Sequence, residues 1–158
     1  KVLKNFFEYL QENLAETGMK TSADLFGMTT NAIDDMGIGQ ILENALPYFD
    51  YISPMVYPSH YPANFEGYSN PEKYPYEVVK FAMQSAVIRS EALASSTGES
   101  LVDYKNKLRP WLQDFGLRMT YGANEVRAQI KATNDLGLSS WLLWSASNKY
   151  TRGALNSD

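Results

Sequence analysis

Four short apolar segments of this chain share one shape. They are TSADLFGMT at 21–29, DYISPMVYPSHY at 50–61, LRPWLQDF at 108–115 and SSWLLWSAS at 139–147. Each turns polar or aromatic at its C-terminal end, and each follows a stretch with helical spacing. Helix–strand alternation with chemistry collected at strand ends is the pattern of a (β/α) barrel, whose active site sits at its C-terminal face. A closed barrel needs eight such units and this chain supplies four. The expected fold is therefore α/β, a TIM-barrel type present as half of an enzyme.

The segments between the strands fit that reading. From Val2 to Leu14 the residues Leu3, Phe6, Phe7, Leu10 and Leu14 fall on one helical face, and Gly18 follows as a stop. A short helix is expected between Asp34 and Pro47, with Asp34 and Asp35 as its caps. Pro58 to Tyr74 is a long loop rich in Pro, Asn, Gly and Tyr, and long barrel loops are usually functional. Tyr76–Leu93 reads as the longest helix, Ser95–Asn106 as a surface connection, and Asn124–Leu136 as a helix capped by Asn124 and stopped by Gly137. The strands fall at 21–29, 50–57, 108–115 and 140–146. One domain over 1–158 is expected.

Composition excludes several functions. With 14 basic and 18 acidic residues and no long run of either sign, the chain has no basic stripe for nucleic acid. No apolar stretch reaches the roughly 18–20 residues that span a bilayer. The absence of Cys removes disulfides and thiolate ligands, and one His with scattered carboxylates shows no ligand spacing, so neither metal nor cofactor is expected. Gly37 and Gly39 lack the spacing and the Lys of a phosphate loop. A Cys-free, mildly acidic chain is compatible with an extracytoplasmic setting.

The two-residue period of a strand assigns faces. An unpaired carboxylate beneath a covering helix is expensive, so Asp24 belongs on the axis face with Ser22 and Phe26. In the second strand Ser53, Met55 and Tyr57 face the axis, leaving Ile52, Pro54 and Val56 for the helices. Leu112 and Pro110 point outward in the third, which puts Arg109, Trp111 and Gln113 inward and Asp114 at the rim. Trp144 shares a face with Ser140 and Leu142, while Trp141 packs beneath helices. Met55, Met83 and Trp111 read as core, and an inward Arg109 calls for a carboxylate partner.

The mouth so assembled holds Asp24, Tyr57, His60, Tyr61, Gln113, Asp114 and Trp144. Flat aromatic rings stack on the apolar faces of sugars while carboxylates and amides read hydroxyls. Glycosidic cleavage needs two carboxyl groups, one as acid and one as base or nucleophile. Asp24 and Asp114 are the candidates, with Tyr57, His60, Tyr61, Gln113 and Trp144 as sugar contacts. A glycan-binding module that keeps the aromatic cleft without a productive carboxylate pair, or a purely structural half barrel, are the alternatives.

The strings SADLFGMTT, DDMGIGQ, DYISPMVYPSHY, LRPWLQDF, YGANEVRAQI and WLLWSASNKY together resemble the glycoside-hydrolase-like family of bacterial domains known as DUF4015. The resemblance runs from about Lys20 to Tyr150, in order and with similar spacing. It implies a TIM-barrel-like fold acting on a polysaccharide or other glycan. Members of that family look about twice as long, and their N-terminal half carries a strand ending in a motif like FDYVRFP, whose Asp is a natural catalytic candidate. The chain resembles their C-terminal half, with Lys1 inside a helix that precedes the fifth barrel strand. Ser145 and Ser147 stand where the family tends to have an Asn. The resemblance thus implies an incomplete and inactive hydrolase, whose open strand edges are covered by an N-terminal half or by a second copy in a homodimer.

Overall fold

A computed structural model describes residues 2–98 and 101–155, without the side chains of 101–103. Among the described residues there are four helix–strand units. In chain order they comprise α1 (Val2–Leu14), β1 (Ser22–Phe26), α2 (Leu42–Ala45), β2 (Tyr51–Met55), α3 (Pro75–Thr97), α4 (Leu101–Lys107), β3 (Trp111–Gln113), α5 (Ala123–Asp135) and β4 (Leu142–Trp144). The strands form one sheet in the order β1-β2-β3-β4, every neighbouring pair parallel. Sequential parallel strands joined by crossover helices are the construction of a barrel wall.

The core lies between the outer face of the sheet and the helices. Leu25, Ile52, Val56 and Leu112 supply the sheet side, and Leu42, Leu46, Val79, Met83 and Ala132 supply the helical side. These are the outward residues of the strand period, so the opposite set faces the barrel axis. Arg89 ties the units together. Its guanidinium donates to both Glu43 oxygens, to the Thr29 carbonyl at 2.6 Å and to the Ala32 carbonyl at 2.7 Å.

Three elements differ from the sequence reading. The 95–106 stretch is not a plain surface connection: α3 runs to Thr97 and α4 follows, burying Tyr104. Asp34 and Asp35 do not cap a helix. Their Oδ1 atoms accept the amides of Met36 and Gly37, both at 3.0 Å, in tight turns through positive φ at Met36, Gly37 and Gly39. Helix α5 starts from Gly122, whose amide is accepted by Glu125 Oε2 at 2.9 Å, and not from Asn124.

Candidate functional site

The loops after β1, β2 and β3 enclose a cleft of about 920 Å³ at the C-terminal ends of the strands. Its floor comes from axis-facing strand residues, Asp24 and Phe26 from β1, Met55 from β2, Trp111 from β3 and Trp144 from β4. Met28, Met36, Ile38 and Leu117 make an apolar rim, and Tyr57, Ser59, His60 and Arg118 a polar one. Trp111 and Met55, read as core from the sequence, are half-buried walls of this cleft.

Asp24 lines this cleft from β1, an edge strand of the sheet. Its Oδ1 accepts the Trp111 indole N–H at 2.9 Å, which leaves Oδ2 without a partner among the described residues. Trp144 stands edge-on to Trp111, with ring centroids 5.9 Å apart and an interplanar angle of 83°. Its own ring is 44% exposed and offers a face to the cleft. Tyr57 packs edge-on against His60 at 5.2 Å and against Phe115 at 5.6 Å. Burial first, and then the Asp24 charge, push the Tyr57 phenol above its ordinary range, so it stays a hydrogen-bond donor. Burial and the neighbouring Arg118 cation hold the His60 imidazole below its usual value of 6.5.

Two expected site residues stand outside the cleft, and a third lines it only as a buried wall. Asp114 is buried beneath the C-terminal segment, where its two oxygens accept the Thr151 amide and hydroxyl, both at 2.7 Å. That carboxylate is spent on tying residue 151 to the sheet and does not line the cleft. Gln113 is fully buried rather than at the mouth: its Oε1 accepts the Ser59 amide at 3.0 Å and its Nε2 donates to the Phe115 carbonyl at 2.8 Å. Tyr61 is buried against Phe65, with ring centroids 4.4 Å apart, so it forms the inner wall and offers no open sugar face. Among the described residues Arg109 lacks the carboxylate partner expected for it. Its guanidinium lies 4.0 Å from the centroid of the Tyr51 ring, a cation–π contact.

Sequence reasoning also missed Arg118 and Glu72. Glu72 is fully buried, and its carboxylate accepts the Leu117 amide at 2.9 Å and the Arg118 amide at 3.0 Å. It thereby fixes the loop that brings Leu117 and Arg118 over the cleft. A Glu beside Pro71 in a polar loop carries no periodic signal, so nothing local marked it. Among the described residues no cluster of three or more His, Cys, Asp or Glu could hold a metal, and no helix is long and apolar enough to cross a membrane.

A family model described as "Putative glycosyl hydrolase domain", DUF4015, matches residues 1–150. Among solved structures, the fold is similar to the PgaB (BpsB) glycoside hydrolase domain from Bordetella bronchiseptica, with a TM-score of 0.53 at 17% identity. That match covers 91% of this chain and 36% of the solved one, so the chain spans about a third of the structure it resembles. No curated protein matches the sequence. The shared architecture is a part of a TIM-barrel-like glycoside hydrolase fold.

Proposed function

From a chain that belongs to the DUF4015 family of glycosyl hydrolase domains, we propose that the cleft binds a glycan across Trp144 and Trp111 and presents Asp24 to its glycosidic linkage. The observation that carries this reading is the placement of Asp24. One of its oxygens is held by an indole and the other faces a large cleft walled by aromatic rings. A carboxylate restrained in that way is suited to proton transfer or to stabilising a positively charged transition state.

Asp114 leaves the reading one carboxylate short. Among the described residues Asp24 alone supplies a carboxylate to the cleft, whereas cleavage calls for two. We therefore read these four strands as the C-terminal half of a barrel, binding the glycan without cleaving it. A second acid would come from whatever completes the wall, a preceding half or a second copy. The similarity to about a third of a glycoside hydrolase domain supports that view.

The test is direct. Calorimetric titration with a panel of oligosaccharides should show binding to the chain, and Trp144→Ala should weaken it by roughly 1–3 kcal/mol. In a complete barrel, Asp24→Asn should leave binding in place and abolish cleavage. Binding that ignores Trp144→Ala would place the glycan elsewhere and remove the proposal.

A further inference from the structure

We infer that Arg118 marks an acid subsite of this cleft, which takes the carboxylate of a uronic-acid residue in the bound glycan. The inference rests on the glycan-binding reading and names the class of glycan. Arg118 is exposed at the cleft wall, and among the described residues its guanidinium makes one long hydrogen bond, Nη1 to the Ser59 carbonyl at 3.3 Å. No carboxylate pairs with it among the described residues. Its remaining N–H groups form a planar fork of the shape that grips a carboxylate in two parallel bonds.

The backbone beneath this cation is built to hold it still. Glu72, fully buried, spends its charge on the amides of Leu117 and Arg118, and the Tyr121 hydroxyl donates to the Glu72 carbonyl at 3.0 Å. An ordinary solvated arginine needs no such foundation. Among the described residues the Ser59 hydroxyl beside it is buried with no hydrogen-bond partner, a polar group left unused on the same wall. Met28, Met36 and Ile38 line the same cleft and carry no charge, and among the described lining residues the one carboxylate is Asp24. A sugar ring stacked on Trp144 and carrying a carboxylate toward Arg118 would meet an unsatisfied donor fork, whereas a neutral sugar would leave that fork to water.

The experiment is a calorimetric titration of the chain with uronate-containing oligosaccharides, their methyl esters and neutral oligosaccharides. Esterification removes the charge and keeps the ring. We expect at least one free acid to bind roughly ten- to a hundred-fold tighter than its ester. Arg118→Gln should level the two, and Arg118→Lys should restore part of the preference, since it returns charge without the fork. Equal affinity of acid and ester in the unaltered chain would overturn the acid subsite and leave glycan binding standing. An acid preference that survives Arg118→Gln would overturn the assignment to Arg118, as would a variant that weakens acid and ester alike, the mark of a structural role. Binding of no oligosaccharide, charged or neutral, would overturn this inference together with the function it rests on.

Discussion

Asp24 and Asp114 show how far residue type and strand period reach. Both carboxylates lie within apolar runs, and alternation puts Asp24 on the axis face, because burial beneath a helix has a prohibitive cost. Nothing local distinguishes Asp114. Its fate is set by Thr151, thirty-seven positions away, whose amide and hydroxyl it accepts. Gln113 is likewise claimed by Ser59 from another loop. Side-chain partners at long sequence separation are invisible to a two-residue period. Asp114→Asn should consequently act on stability: losing two charge-assisted bonds at a buried site costs about 1–3 kcal/mol, read as a lowered denaturant midpoint, with glycan binding unchanged. His60 gives a prediction in pH. The folded chain protonates it at a lower pH than the unfolded chain does, so the unfolded state binds more protons once pH falls below about 6.5. Stability should decline from there down to the depressed folded value, then level off. His60→Gln should lack that slope in urea titrations run between pH 7 and 5, and an unchanged slope would assign it to another group.

At the scale of elements the alternation of helices and strands was legible, because apolar periods of 3.6 and 2 depend on neighbours a few residues away. The strands came out shorter than the apolar runs that announced them, since each run continues past the sheet into the loop that builds the cleft. Helix α4 escaped notice for a related reason: seven residues with three charges among them, LVDYKNK, present hardly any amphipathic stripe. The turn after β1 passes close against the end of β2. A Cβ placed on Gly27 would lie 2.3 Å from the Met55 carbonyl oxygen and 2.9 Å from its carbon, both backbone atoms of β2. Neither can step aside without parting β1 from β2. Gly27→Ala should therefore destabilise the chain by about 2–4 kcal/mol, well beyond the half to one kcal/mol that such a change usually moves a surface turn. Gly67→Ala is the control. Its Cβ meets nothing within 4 Å, so its cost comes from positive φ alone and should be smaller in the same unfolding assay.

For the molecule as a whole, the sheet is covered on one side and open on the other. Helices bury the outer face, yet Phe26 is 56% exposed and Trp144 44% exposed on the axis face at opposite edges of the sheet. A second apolar stripe, Val2, Phe6 and Tyr9, lies exposed on α1, whose other face packs Phe7 and Leu10 on the core. The outer edge of β1 is also short of partners, its Phe26 amide being met by the Gln40 side chain at 2.9 Å. Exposed strand edges next to apolar surface recruit another chain. We propose that a second copy covers this face in the isolated chain, as a preceding half would in a complete barrel. The four parallel strands were legible in the sequence because each depends on its own apolar run, whereas the occupant of the open face is not encoded in any one segment. Sedimentation at tens of micromolar should find a dimer, and Phe26→Glu, which sets a charge on the open face at its β1 edge, should shift it toward monomer at least tenfold in dissociation constant. Trp fluorescence should report the same surface, because Trp144 would leave water on association and move its emission to the blue. A compact monomer at those concentrations, with Trp144 emission unmoved by dilution, would show that the open side is stable in water as it stands and that no second chain is needed to close it.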